Sequence, residues 1–172
     1  DKAFRVNGES FESIVLDAND LIGQQRFDFE FVHGDFCFSN ILYDFRSNRI
    51  KAIDPRGCDF DGQITPYGDP LYDYAKFAHS CIGKYDDIVA ERYNSKLLLS
   101  DSALEFIASV EGENISNLFI KELEKRNIPL KVIYGYMVHI FLSMIPLHCD
   151  SVTRQLAFAV NALRLLRKAR EL

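Results

Sequence analysis

The sequence lacks the cysteine spacings found in disulfide-rich and zinc-binding proteins. Its four cysteines are scattered along the chain, with no two of them in a CxxC arrangement, at Cys37, Cys58, Cys81 and Cys149. Scattered thiols of this kind are typical of proteins kept in a reducing compartment. We therefore expect free thiols and a cytoplasmic location.

The sequence also lacks the long apolar run that a membrane-spanning helix requires. No continuous run reaches the roughly 18 residues needed to cross a bilayer, and no charged-then-apolar leader opens the chain. Position 1 is Asp rather than Met, as it would be in a truncated chain. We expect a globular chain without a membrane span.

Low-complexity and strongly polar stretches are missing as well. Of the 172 residues, 48% are hydrophobic, 13% aromatic and 26% charged, which excludes a disordered tail or a collagenous repeat. A chain of this length forms one domain, or one lobe of a larger protein. We see no interdomain linker and treat 1–172 as a single unit.

Acidic residues are concentrated in one part of the chain. The net charge is −5, and the segment from Asp28 to Asp73 alone holds nine acids against four bases. A local acidic cluster disfavours nucleic-acid binding but suits metal cations. We therefore expect no nucleic-acid partner.

The N-terminal part predicts one helix followed by short strands. Apolar residues recur at helical spacing over 10–25, with Ser10 as a candidate N-cap. Phenylalanines then alternate with acids from Phe27, which predicts a strand running into Val32. Two further strands, 41–43 and 50–53, follow the loop 33–40, and a second loop covers 54–68.

The rest of the chain is predicted to be helical. Asp69 and Pro70 together form a typical helix start, an N-cap followed by proline at the first helical position. Further helices are predicted over 85–99, 101–110, 114–126, 130–144 and 151–170. A small β-element carrying two loops on a set of helices makes the predicted fold class α+β.

Three polar residues in the loops suit phosphoryl-transfer chemistry. Asp35 and Asn40 lie five residues apart in the first loop, and Asp54 follows the last predicted strand. One carboxylate can accept a proton from a hydroxyl, whereas a second carboxylate and an amide oxygen can bind Mg²⁺. The amide supplies a ligand oxygen without adding negative charge beside a triphosphate.

The motifs around these residues resemble a known family of kinases. The chain contains HGDxxxxN at 33–40, IDxxG at 53–57 and GDPxYD at 68–73. In this order and spacing, they resemble the motifs of the aminoglycoside phosphotransferase and choline kinase superfamily. Members of that superfamily are small-molecule kinases with a protein-kinase-like fold. The resemblance implies the mainly helical C-terminal lobe of such a phosphotransferase, with the β-element carrying its catalytic and metal loops.

The resemblance implies a role for each matching residue. Asp35 would be the catalytic base that orients and deprotonates an acceptor hydroxyl. Asn40 and Asp54 would bind the Mg²⁺ that bridges the phosphates of ATP, although GTP is not excluded as donor. His33 would structure the loop rather than act as an acid or base.

Three further residues have more than one interpretation. The resemblance implies that Asp69 braces the catalytic loop, but a helix cap explains the same residue without any function. Asp73, in the first helical turn, has a similar structural explanation. Arg56 replaces a residue that is often aromatic or acidic in the family, and could face a phosphate or an acidic substrate group.

Residues 1–32 contain neither a glycine-rich loop nor a lysine on an apolar strand. Kinases of this kind hold the nucleotide with both, in an N-terminal lobe. This chain is therefore expected to need that missing lobe as a partner and to be weakly active or inactive alone. The acceptor stays open among choline, an aminoglycoside, a sugar and an amino-alcohol.

Two other functions stay open. A non-catalytic binding or scaffold module derived from a kinase lobe would also lack the nucleotide-holding residues. A metal-dependent phosphoesterase is a weaker alternative, because it would need more histidine or carboxylate ligands at metal spacing than the sequence offers.

Overall fold

The structure is a computed structural model that describes residues 5–6, 8–23, 28–59, 61–92, 98–100, 103–105 and 113–172. The described residues form six α-helices: α1 (Phe11–Ile22), α2 (Pro70–Cys81), α3 (Tyr85–Val89), α4 (Glu113–Lys125), α5 (Leu130–Leu147) and α6 (Val152–Arg170). They also form eight short strands: β1 (Arg5–Val6), β2 (Glu9–Ser10), β3 (Glu30–Phe31), β4 (Ile41–Asp44), β5 (Arg49–Ala52), β6 (Tyr67–Gly68), β7 (Leu98–Ser100) and β8 (Ala103–Glu105). The strands pair antiparallel as β1–β2, β3–β6, β4–β5 and β7–β8. The predicted α+β class is confirmed.

Helix α5 lies at the centre of the helical part and packs against α1, α2 and α6. Its apolar stripe is buried, including Ile133, Met137 and Phe141. At Gly135 a Cβ atom would lie only 2.9 Å from the backbone oxygen of Ala18, so the absence of a side chain lets α1 and α5 approach closely. The helices therefore share one core beneath the β-element.

Two helix starts follow the sequence signals. The hydroxyl of Ser10 accepts a hydrogen bond from the Ser13 amide at 3.1 Å, which caps α1. The Asp69 carboxylate accepts one from the Leu71 amide at 2.9 Å, and Pro70 occupies the first helical position of α2. Both predicted N-caps are confirmed.

The helices predicted over 85–99 and 101–110 are wrong for most of their described length. In the range 85–99, only α3 is helical, and the described residues at its end belong to strand β7. In the range 101–110, the described residues form strand β8. Ser100 pairs with Ala103 in a hairpin register, with Asp101 and Ser102 outside the described residues. Short apolar runs have no helical or strand signature of their own, so periodicity could not separate the two.

The β-element differs in detail from the prediction. The strand expected over 27–32 is limited to β3, and Phe27 lies outside the described residues. Its partner is β6, part of the segment 54–68 predicted to be a loop. The hairpin of β4 and β5 is confirmed with nearly the predicted bounds. The β1–β2 pair was not predicted, because two-residue strands carry no periodicity.

Among the residues that the structure describes, one helix is long and apolar enough to cross a membrane by length and composition alone. Helix α5 has 18 residues with a mean hydropathy of 1.5. Polar residues such as His139 and Ser143 interrupt the apolar run of this helix, so its mean hydropathy is high although it contains no continuous apolar run of 18 residues. This is weak evidence for a span, since the core helix of a water-soluble protein meets the same criterion, and α5 buries many of its residues in this core.

Candidate active site

The loop 33–40 joins β3 to β4. It ends in a single turn of 3₁₀ helix at Phe38–Asn40, directly before β4. Backbone hydrogen bonds tie this loop to the segment that follows β5. The Arg56 amide donates to the His33 oxygen at 2.9 Å, and the Ile53 amide donates to the Asn40 oxygen at 2.9 Å. The two motif segments therefore lie side by side.

The structure brings Asp35 and Asn40 into direct contact. The Asn40 side-chain amide donates to the backbone oxygen of Asp35 at 2.9 Å and to its carboxylate Oδ2 at 3.1 Å. Asn40 is buried, whereas Asp54 is exposed. Asp54 directly follows Ile53, whose backbone amide donates to the Asn40 oxygen. Asp54 has a left-handed backbone with φ of 57°. Aspartate tolerates this conformation better than most residues, and such strain is often found at functional sites.

His33 bonds to the protein backbone through both ring nitrogens. Its Nδ1 accepts from the Asp35 amide at 3.3 Å, so Nε2 carries the hydrogen and donates to the Ile53 oxygen at 2.9 Å. Neither nitrogen is left for a substrate. The geometry is that of a residue linking Asp35 to the end of β5.

Asp73, and not Asp69, braces the loop 33–40. The Asp73 carboxylate accepts from the His33 amide at 2.6 Å and from the Gly34 amide at 2.8 Å. The bracing role that the resemblance implied for Asp69 is therefore corrected. Asp69 caps α2 instead, because its carboxylate lies beside the first helical amides, one turn away from Asp73.

The second oxygen of Asp69 accepts a short hydrogen bond from the Tyr136 hydroxyl. This bond fastens the start of α2 to the central helix α5. Burial, together with the nearby Asp69 carboxylate, raises the pKa of Tyr136 above its usual value. Tyr136 therefore stays protonated and keeps donating to Asp69.

Lys76 on α2 is a site residue that the sequence reasoning missed. Its ammonium lies 2.7 Å from Oδ1 of Asp35, and only 7% of its side chain is exposed. Lys76 follows Asp73 by one helical turn, and Ser80, whose hydroxyl accepts from the Phe38 amide at 3.2 Å, follows by another. The i, i+3, i+7 spacing of these polar residues is the signal that could have revealed the loop-facing side of α2.

Aromatic rings pack the loop against the same helix. Phe36 stacks on Phe77 of α2 with ring centroids 5.8 Å apart, and Phe38 meets Phe77 edge-on at 5.3 Å. Phe77 in turn contacts Phe119 of α4 at 4.8 Å. These contacts give the two phenylalanines of the loop a structural role, because they anchor the backbone on either side of Cys37.

A cavity of about 370 Å³ opens over Asp35 and Asp54. One wall carries charged side chains, including Arg56 and Lys76, and the other is formed by the last turns of α5. The Arg56 guanidinium lies over the ring of Tyr72 at 5.3 Å and donates to its hydroxyl at 3.1 Å. Arg56 thus has a fixed position at the cavity edge.

Asp54, which lines this cavity, and Asn40, which contacts the cavity residue Asp35, offer oxygen donors that suit a hard cation better than a soft one. Among the residues that the structure describes, no group of three His, Cys, Asp or Glu side chains is arranged to hold a metal ion. Asn40 and Asp54 offer an amide and a carboxylate oxygen, and Mg²⁺ commonly binds few protein oxygens while keeping waters and substrate phosphates. The residues present fit such a shared site.

No protein-family model matches this chain, and neither a curated protein nor a solved structure is significantly similar to it. The resemblance of the motifs therefore depends on the motif residues themselves.

Proposed function

We propose that this chain carries the catalytic centre of an ATP- and Mg²⁺-dependent phosphotransferase that acts on a hydroxyl group of a small molecule. The observation that carries the proposal is the contact of the buried Asn40 with Asp35, which lines one cavity together with Asp54. A proton acceptor and two oxygen ligands at one place are what phosphoryl transfer to a hydroxyl requires.

In the proposed reaction, the acceptor oxygen forms a bond to the γ-phosphorus while the bond from that phosphorus to the bridging oxygen of ADP breaks. The hydroxyl proton passes to the Asp35 carboxylate. General-base assistance of this kind contributes roughly 10²- to 10⁴-fold to a rate. Orientation of the acceptor in the cavity also raises the rate, because binding has already removed the translational and rotational entropy of the acceptor.

Asn40 and Asp54 are the proposed ligands of Mg²⁺. Because Nδ2 of Asn40 is turned toward Asp35, its Oδ1 is the atom left for a cation. Mg²⁺, when bound, would neutralise charge on the nucleotide phosphates. Arg56, at the edge of the same cavity, is proposed to contact a phosphate or an acidic group of the substrate.

The proposal includes a second, nucleotide-holding lobe as partner. The small sheets expose large apolar side chains on which such a lobe would pack, among them Phe31 at 78% and Ile50 at 69%. The acceptor class stays a sugar, choline or another amino-alcohol, or an aminoglycoside. A cytoplasmic location is proposed because all four cysteines are free thiols.

The proposal is tested by ³¹P NMR of Mg-ATP mixed with choline, ethanolamine, glucose or kanamycin. This chain and the longest product of its gene are assayed side by side. We expect a new phosphomonoester signal from the longer product. Asp35→Asn is expected to abolish that signal while leaving Mg-ATP affinity unchanged, since asparagine keeps the shape but cannot accept the proton.

Asp44→Asn is the matched control, because Asp44 is a carboxylate at the end of β4 and outside the cavity. It is expected to transfer phosphate at the wild-type rate. Turnover near normal in Asp35→Asn would contradict the role of the base. Absence of both transfer and Mg-ATP binding in either protein would instead favour a non-catalytic binding module.

A further inference from the structure

We propose that Lys76 is a positioning residue for phosphoryl transfer, which holds the Asp35 carboxylate in the orientation that accepts the hydroxyl proton. This inference rests on the proposed function of the site and adds to it a residue outside all three motifs. The observation that carries it is the ion pair between the nearly buried Lys76 ammonium and Oδ1 of Asp35 at 2.7 Å.

Burial makes this ion pair different from the surface pairs of the protein. The side chain of Lys76 is 7% exposed, whereas the pair of Lys125 and Glu122 joins side chains that are 72% and 46% exposed. An ammonium withdrawn from water is costly unless a partner compensates it, whereas exposed pairs contribute little. Asp35 is that partner, so its carboxylate is held in one place.

The two oxygens of Asp35 have different neighbours. Oδ1 faces Lys76 at 2.7 Å and Oδ2 faces the Asn40 amide at 3.1 Å. Contacts on both sides restrict rotation of the carboxylate, and Oδ2 is the oxygen left to take the proton beside the proposed metal ligand. Small losses of orientation at a reacting group reduce rates strongly.

Helix α2 fixes the loop at two levels. Asp73 holds the backbone amides of His33 and Gly34, and Lys76, one turn further along, holds the side chain of Asp35. Both Lys76 and Asp35 line the 370 Å³ cavity. When Asp35 takes the hydroxyl proton and becomes neutral, the ammonium stays beside the new phosphomonoester and balances its charge.

The test compares Lys76→Met and Lys76→Arg in the longest gene product that transfers phosphate from Mg-ATP in the ³¹P assay. We expect Lys76→Met to lower kcat about 100-fold, with KM for Mg-ATP changed less than threefold. Lys76→Arg keeps a cation and is expected to stay within about tenfold of the wild-type kcat. A purely structural lysine would lower the folded fraction without this split between kcat and KM.

Lys131→Met is the matched control, because Lys131 is exposed in the first turn of α5 and outside the cavity. Circular dichroism checks that each variant is folded, and Lys76→Gln replaces Lys76→Met if the latter does not fold. A kcat within threefold of wild type in Lys76→Met or Lys76→Gln overturns the positioning role while the proposed function stands. Absence of transfer by the wild-type protein overturns both.

Discussion

At the scale of single residues, His79 is the least expected feature of the core. Its ring is fully buried and stacks on Tyr85 at 4.4 Å and beside Phe141 at 4.3 Å. Neither ring nitrogen has a hydrogen-bond partner among the described residues. Burial, aided by the charge of Lys76, lowers the pKa of His79 well below 6.5. A buried polar group without a partner costs free energy of folding.

This histidine predicts a pH dependence of stability. The folded protein keeps His79 neutral, whereas the unfolded chain binds a proton below about pH 6.5. The contribution of His79 to the free energy of unfolding is therefore constant above that pH and falls below it, by at most about 1.4 kcal/mol per pH unit. His79→Leu is expected to remove this loss and to be the more stable protein at pH 5.5. Urea unfolding between pH 5 and 8 measures it.

His139 provides the control for that experiment. It is half-buried, and burial lowers its pKa less severely than that of His79. His139→Leu is expected to change the pH dependence less than His79→Leu. Equal slopes in His79→Leu and the wild-type protein would show that His79 is not buried neutral in solution.

At the scale of elements, the start of α2 separates helix capping from loop bracing. Asp69 caps the helix, and Asp73 holds the amides of His33 and Gly34. Asp69→Ala is expected to cost about 2 kcal/mol of unfolding free energy, because it removes both the cap of α2 and the acceptor of the Tyr136 hydroxyl. Asp73→Ala is expected to shift the amide NMR signals of His33 and Gly34, because their acceptor is lost.

The two variants are controls for each other. In Asp69→Ala the signals of His33 and Gly34 are expected to stay in place, since Asp73 still holds the loop. Larger shifts in Asp69→Ala than in Asp73→Ala would contradict the assignment of the brace. ¹H–¹⁵N spectra of the isolated chain suffice for the comparison, so its outcome does not depend on enzymatic activity.

Local signals in the sequence predicted some elements well and others not at all. Ser10 and Asp69 predicted the starts of α1 and α2, because an N-cap depends only on residues that are neighbours in the sequence. The hairpin of β7 and β8 was mistaken for helix, since three-residue strands do not establish a period. The pairing of β3 with β6 joins residues far apart in sequence, and no local pattern could predict it.

At the scale of the whole molecule, the sequence predicted only part of the candidate site. Asp35, Asn40 and Asp54 could be chosen because Asp35 and Asn40 belong to the motif at 33–40 and Asp54 to the motif at 53–57. The spacing of Asp73, Lys76 and Ser80 could indicate one polar side of α2, but the contact of Lys76 with Asp35 depends on the docking of α2 against the loop, which only the fold provides. An ion pair between residues that are far apart in the sequence depends on the tertiary structure.

The apolar strip formed by Phe29, Phe31 and Tyr67 gives a final prediction about the whole molecule. The two phenylalanines are each 78% exposed, and the rings of Phe31 and Tyr67 meet edge to face with centroids 6.4 Å apart. Phe31→Ser should therefore change the free energy of unfolding by less than about 1 kcal/mol. It should lower the binding of an apolar dye, and self-association, in the isolated chain.

Leu118→Ser, at a residue of α4 that is 61% exposed, is the control for a general loss of apolar surface. In the longer gene product, where the proposed second lobe covers the strip, wild-type dye binding is expected to be lower than in the isolated chain. Dye titration and sedimentation velocity measure both effects. A loss of more than 2 kcal/mol in Phe31→Ser would mean that this side chain is buried in solution, and the strip would then be part of the core rather than a docking surface.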